Sequence, residues 1–169
     1  MKNSRIAIAL AALALVAVSG VALARTSDRR QAIDIESGSA VYSTDDSRPT
    51  VLAGGVTITQ GTLRITSSTA EITMRNGEAV RAVLRGGPVR MSQQLDDGTP
   101  MNSVSSTADY DMQADVVVLA GNVSVQQSRG SLNGERVTYN MRSGQVASGG
   151  AAGGGRVKMR ILPKNSGTP

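Results

Sequence analysis

The segment Val51-Leu52-Ala53-Gly54, followed by Val56, Ile58 and Gln60, recurs as Val118-Leu119-Ala120-Gly121, followed by Val123, Val125 and Gln127, at a constant offset of 67. Thr57 finds its counterpart in Ser124. Seven identities or close matches at one offset separate this pattern from the general likeness of any two Val/Thr-rich strands. A chain that repeats itself at this period builds two copies of one supersecondary unit, neither of which can bury its apolar face alone. Flanking pieces repeat with small slips: Ala40-Val41-Tyr42 resembles Ala108-Asp109-Tyr110, and Ile72-Thr73-Met74 resembles Val137-Thr138-Tyr139. The expectation is two similar sheet layers stacked along one axis, with the Gly of each copy marking a tight turn or bulge.

From Ile33 onward the hydrophobic pattern has period two, the signature of half-buried strands. Val56 and Ile58 share a face against Thr57 and Thr59; Leu63 and Ile65 repeat this against Thr62, Arg64 and Thr66. Val80, Ala82 and Leu84, then Val123 and Val125, then Val137, Tyr139 and Met141 do the same. No stretch of this part reads as a helix. Turns are expected at Asp45-Asp46, Asn76-Gly77, Gly86-Gly87-Pro88, Asp96-Asp97-Gly98, Asn133-Gly134 and Ser143-Gly144, where Gly and Asn take positive φ at low cost. The chain therefore reads as a series of short antiparallel strands.

Composition removes most chemistries. Among 169 residues there is no Cys, His, Trp or Phe. Thiolate and imidazole catalysis and zinc or iron sites lose their usual ligands, so no catalytic residue, metal or cofactor is expected. Aromatics are only 2% of the chain, which leaves no stacking platform for nucleic acid despite a net charge of +5. The acidic pairs Asp45/Asp46 and Asp96/Asp97 invite a glycosidase reading, but sequence-adjacent carboxylates in turns are better explained as solvated loop ends.

Lys2 and Arg5 precede an apolar run over residues 6–18, followed by Ser19-Gly20 and the small-x-small pattern Ala22-Leu23-Ala24. This reads as a signal peptide, residues 1–24, cut after Ala24. An uncleaved anchor is the alternative, since residues 6–24 approach the roughly 20 that a spanning helix needs. Cleavage leaves 145 residues carrying +3, only mildly basic. With no disulfide available in an oxidising compartment, packing and ladder hydrogen bonds must hold the domain, residues 25–163, by themselves. Residues 25–30 read as a frayed start and 164–169 as a disordered tail.

Ile33-Asp34-Ile35-Glu36-Ser37, then Leu52-Ala53-Gly54-Gly55-Val56-Thr57-Ile58-Thr59-Gln60-Gly61-Thr62-Leu63, then Val118-Leu119-Ala120-Gly121-Asn122-Val123, with Arg156-Val157 before Leu162-Pro163, resemble the OstA-like, LptA family of periplasmic lipopolysaccharide transport proteins. The resemblance covers nearly all of the chain after residue 24. It implies an all-β fold, an open, slightly twisted antiparallel β-jelly roll of about sixteen short strands. It further implies periplasmic copies stacked head to tail between an LptC-like inner-membrane partner and an LptD-like outer-membrane partner, with the lipid A part of lipopolysaccharide sliding along an apolar interior. The groove would be lined by Ile33, Ile35, Val56, Ile58, Leu63, Ile65, Met91, Tyr110, Met112, Val123, Val125 and Tyr139, with Asp34 and Glu36 pointing away. Met91 stands where the family often has an aromatic, and Tyr110 and Met112 would fall on a facing strand. Val157, Met159 and Ile161 would share one face of a last strand over residues 156–162, with Arg156, Lys158 and Arg160 on the other. The partner edge is assigned to the three apolar residues; the cations would lie near lipid phosphates or an acidic partner edge, and they suit protection of an exposed sheet edge equally well.

Elementary energetics fit such a role. An acyl chain of about a dozen carbons costs roughly 10 kcal/mol to expose to water, so it cannot cross an aqueous gap unshielded. A sandwich lined with Ile, Val, Leu and Met, with no Trp or Phe filling its middle, suits adaptable acyl packing. The same residues serve equally as ordinary core. An LptC-like anchored partner and a non-lipid structural β module remain the alternatives.

Overall fold

The computed structural model describes residues 27–149, save 44 and 46, and residues 155–163. Residues 1–24, read above as a signal peptide, residues 164–169, read as a tail, and residues 150–154 lie outside the described residues. Among the described residues nine strands form one antiparallel sheet: β1 Asp34–Val41, β2 Thr50–Gln60, β3 Leu63–Arg75, β4 Glu78–Gln94, β5 Pro100–Asp111, β6 Val116–Gln127, β7 Gly130–Asn140, β8 Gln145–Ser148 and β9 Lys158–Ile161. Their order follows the sequence from β1 to β8, and β9 pairs with β7.

One feature of the register organises the whole molecule. Every pairing from β1 to β7 skips at the same level: between Ser37 and Ser39, Ala53 and Val56, Thr66 and Thr69, Arg85 and Val89, Val104 and Thr107, and Ala120 and Val123. A bulge adds a residue and bends the strand, so a row of aligned bulges creases the sheet. Residues before and after the crease form two halves that face each other. One holds Val56, Ile58, Leu63, Ile65, Met91 and Val125; the other holds Leu52, Ile72, Leu84, Leu119, Val137 and Tyr139, all within a single core. The Tyr110 hydroxyl in the second half reaches across to donate to Gln60 Oε1 in the first, at 3.0 Å. Where each strand turns the corner, buried Ser67 and Ser105 donate to the carbonyls of Thr69 and Thr107, at 3.0 and 2.9 Å, satisfying backbone that the bulge frees from the ladder.

The crease explains where the sequence expectations fail. Nine strands are present rather than about sixteen, because the bulges bend strands without ending them. The repeat does not supply one layer per copy; each strand contributes to both layers. Gly86-Gly87-Pro88 lies inside β4 and Asn133-Gly134 inside β7, both at the crease and not at hairpin turns. Asn76-Gly77, Asp96-Asp97-Gly98 and Ser143-Gly144 do connect consecutive strands. Gly54 and Gly121, the repeated glycines, hold φ of 80° and 79° at matching points of the crease, a conformation that L side chains rarely adopt.

The repeat is more regular in space than in sequence. Leu52 pairs with Ala70 and Leu119 pairs with Val137, so Ile72 matches Tyr139 at the same offset of 67 and the slip of that flanking piece disappears. Ala40 against Leu52 likewise matches Ala108 against Leu119. Residues Ser27–Arg30 are not frayed: Asp28–Arg30 make a 3-10 turn, Asp28 is buried, and its carboxylate accepts from the Thr62 hydroxyl.

Candidate functional site: the interior and the two open edges

The alternation of β-branched and polar residues dictates which side chains enter the interior, and those assigned to the groove do enter it. Val56, Ile58, Leu63, Ile65, Met91, Tyr110, Val123, Val125 and Tyr139 are all at most 4% exposed and belong to one continuous core. Ile33, Ile35 and Met112 pack at its margin, half-buried. In this state the layers are in contact and the core residues fill the space between them. Tyr110 does not lie on a strand facing Met91 in the sense expected: β5 is the direct sheet neighbour of β4, Met91 pairs with Ser103, and Tyr110 faces Met91's half only because the crease intervenes. Met112 lies just beyond β5, its N–H donating to the Val80 carbonyl at 3.0 Å.

A few polar groups share this apolar space. Gln60 accepts from Tyr110 and donates to the Gln31 carbonyl at 3.3 Å, tying the two layers to the N-terminal turn on the side opposite the crease. Among the described residues, buried Gln93 Oε1, Ser103 Oγ and Tyr139 OH have no hydrogen-bond partner. Burial pushes the Tyr110 phenol well above its usual range, the carboxylates of Asp115 and Asp111 adding to it. Tyr139 is pushed up to about 12, again chiefly by burial.

The acidic turns have structural jobs. Asp97 accepts from the Thr99 hydroxyl and N–H, at 2.6 and 2.9 Å, and these bonds hold its carboxyl below the usual range. Asp45 is lowered in the same way by the Ser47 N–H. Both caps are fully solvated turn closures, and among the described residues no three metal-binding side chains gather.

The sheet never closes, and its two ends differ. Among the described residues β1 pairs with β2 alone, which makes it one edge of the sheet. The other edge is shared by β8, beside the second half of β7, and β9, beside the first half. The first strand thus runs Asp34–Val41 rather than 33–37, and the last is only Lys158–Ile161. Large exposed apolar residues concentrate at these ends: Val41, Tyr42 and Val51 at one, Val157, Met159, Ile161 and Leu162 at the other. Between the layers at the β8/β9 end opens a cleft of about 370 Å³ lined by Val125, Gln127, Leu132, Val146, Met159 and Ile161. Leu132, Val146 and Gln127 escaped the sequence assignment, although Gln127 is the repeat partner of Gln60 and carried the signal.

A creased β sheet, unclosed among the described residues, with an apolar interior and apolar side chains at both edges defines the open β-jelly-roll class. The description LptA/(LptD N-terminal domain) LPS transport protein matches residues 34–145. The chain belongs to this family. It is 34% identical over 130 residues to the lipopolysaccharide export system protein LptA of Escherichia coli strain K12, covering 76% of this chain and 70% of that one. It is 29% identical over 152 residues to the LptA of Haemophilus influenzae, covering 88% and 87%. The crystal structure of LptH, the LptA homologous periplasmic component of the lipopolysaccharide transport device of Pseudomonas aeruginosa, superposes with a TM-score of 0.72 at 27% identity, over 81% of this chain and 99% of that one.

Proposed function

We propose that this chain carries lipopolysaccharide through the periplasm, lodging the lipid A acyl chains between the two layers while copies stack head to tail between an LptC-like and an LptD-like partner. The observation that carries this reading is the pairing of one apolar interior with two unsealed ends. Apolar burial requires only that the interior be continuous from one copy to the next, which an open roll permits and a closed barrel forbids. Besides the strands that cross the crease and the chain from β8 to β9, the side-chain hydrogen bond that crosses the interior among the described residues is Tyr110–Gln60, so opening the layers on the opposite side loses chiefly apolar contact. Acyl chains entering there replace like with like. Gln93, Ser103 and Tyr139 offer unsatisfied polar atoms to any ester or hydroxyl that enters with them.

Export follows from residues 1–24 acting as a cleaved signal peptide, and N-terminal sequencing of the exported protein is expected to begin at Arg25; retention of Met1 would instead favour an anchored partner. The groove is tested by Ile35→Asp, which places a charge at the half-buried margin of the interior. It is expected to reduce lipopolysaccharide binding at least tenfold, while Thr57→Asp on the outer face changes it little. Equal binding by both folded variants overturns the groove.

A further inference from the structure

Two tyrosines and two glutamines of the interior stand in one repeating relation, and one of the two pairs is left open. Gln60 pairs with Leu63, and Arg64 pairs with Ser92, so Gln93 lies in the same row of the first half as Gln60, two strands along the sheet. In the second half Tyr110 pairs with Val117, and Val117 with Tyr139, so Tyr139 lies in the row of Tyr110, again two strands along. A single step of two strands therefore carries the pair Tyr110/Gln60 onto the pair Tyr139/Gln93.

Tyr110 closes the first pair by donating to Gln60 Oε1 at 3.0 Å. The same two atoms of the second pair, Tyr139 OH and Gln93 Oε1, are buried and, among the described residues, have no hydrogen-bond partner. Ser103 Oγ is in the same condition. It sits beside them, because Gln93 pairs with Met101 and Met91 with Ser103, which puts Ser103 one inward position deeper than Gln93 on the neighbouring strand. The charge of Asp96, in the turn that follows β4, is felt at the Tyr139 phenol, in keeping with a hydroxyl aimed at that end of β4.

Buried polar atoms without partners weaken a fold, and apolar side chains would fill the same space without that cost. Packing therefore gives no reason for these three residues, whereas a ligand does. Gln93 Oε1 can only accept a hydrogen bond, and the Tyr139 hydroxyl can donate one. An ester or an ether can accept from the tyrosine but has no hydrogen to give to Gln93. A trans amide carries its N–H and its C=O on opposite sides, so that, lying between two layers, it serves one with each.

We propose that Gln93 and Tyr139, with Ser103 beside them, form a polar clamp for the amide linkage of an acyl chain, the N–H donating to Gln93 Oε1 and the C=O accepting from the Tyr139 hydroxyl. Tyr110–Gln60 is the same clamp closed on itself. This rests on the reading that acyl chains lodge between the layers, and adds what holds their polar end. Gln93 is the last inward residue of β4 before the open side, so the tail runs inward past buried Met91 and Val89 while the head stays at the opening.

Tyr139→Phe and Gln93→Met each remove a polar atom that has no partner, so neither is expected to lower the urea midpoint. The probes are N-decanoylglucosamine, glucose decanoate and decyl glucoside, which share a chain length and a sugar head, differ in the linkage, and are titrated calorimetrically below their micelle concentrations. The unsubstituted protein is expected to bind the amide probe most tightly, and each substitution to weaken that binding roughly three- to tenfold while leaving the ester and ether probes about unchanged. Losses of one size for all three probes, or losses accompanied by a lower urea midpoint, report packing; they overturn the clamp and leave the acyl-chain interior standing. Unchanged affinity for the amide probe in both variants overturns the clamp in the same way, water then being the partner of the two atoms. Failure of the unsubstituted protein to bind any of the three overturns the acyl-chain interior together with the clamp.

Discussion

Tyr110 and Tyr139 are both buried phenols in the same half of the interior, yet only Tyr110 has a partner. Removing the Tyr110 hydroxyl strands Gln60 Oε1 in an apolar interior; removing that of Tyr139 deletes an atom that already lacks a partner. Tyr110→Phe is expected to cost about 1–3 kcal/mol and Tyr139→Phe close to nothing, or to stabilise slightly, as read by urea denaturation. The two also set an alkaline limit. Both have folded values raised above the roughly 10 of a free phenol, so their contribution is complete below about pH 10 and is lost as pH rises through the folded values. The urea midpoint is expected to fall from about pH 10 upward, and to fall less in the protein carrying both Phe substitutions; an unchanged slope there contradicts the assignment.

At the scale of elements, the crease decides the architecture. β1 and β2 cross it where Gly38 meets Gly54: a Cβ on Gly38 would stand 2.8 Å from the Gly54 carbonyl oxygen. Gly38→Ala therefore forces the edge strand away from β2, at an expected cost of about 1–3 kcal/mol, and amide hydrogen exchange is expected to quicken in β1 before any other strand. Uniform protection across the sheet contradicts this. The same crease marks the limit of what the residues alone disclose. Alternation at Val56, Ile58, Leu63, Ile65, Val137 and Tyr139 marks the inward face within each half, but the bulge changes the phase where a strand crosses the crease: the buried positions of β3 run 63, 65, 67 and then 70, 72. Gly86-Gly87-Pro88 and Asn133-Gly134 look like turns locally, and only pairing with neighbouring strands reveals that they bend a strand that continues. The direction of a strand after a bulge is a tertiary property, which is why the strand number and the layers were misjudged while the repeat was found. Val157, Met159 and Ile161 were legible as an edge; the shared edge with β8 was not, since it depends on where β7 ends.

For the whole molecule, one repeat unit follows another along a single sheet, and nothing in the sheet stops the progression. Closed barrels end their edges, whereas this chain keeps both and lines them with Val41, Tyr42, Met159 and Ile161. Such edges are an aggregation hazard in most proteins, and the charges on each, Asp34 and Glu36 on β1, Lys158 and Arg160 on β9, discourage pairing of like with like.

The central claim is that acyl chains travel between the two layers. It is tested most directly by photo-crosslinking amino acids placed in turn at the inward positions Ile35, Met91 and Val125 and at the outward positions Thr57 and Arg90, in cells making lipopolysaccharide. Crosslinks to lipopolysaccharide at the inward positions, and none at Thr57 and Arg90, are the predicted result; capture at the outward positions with none inside contradicts the account.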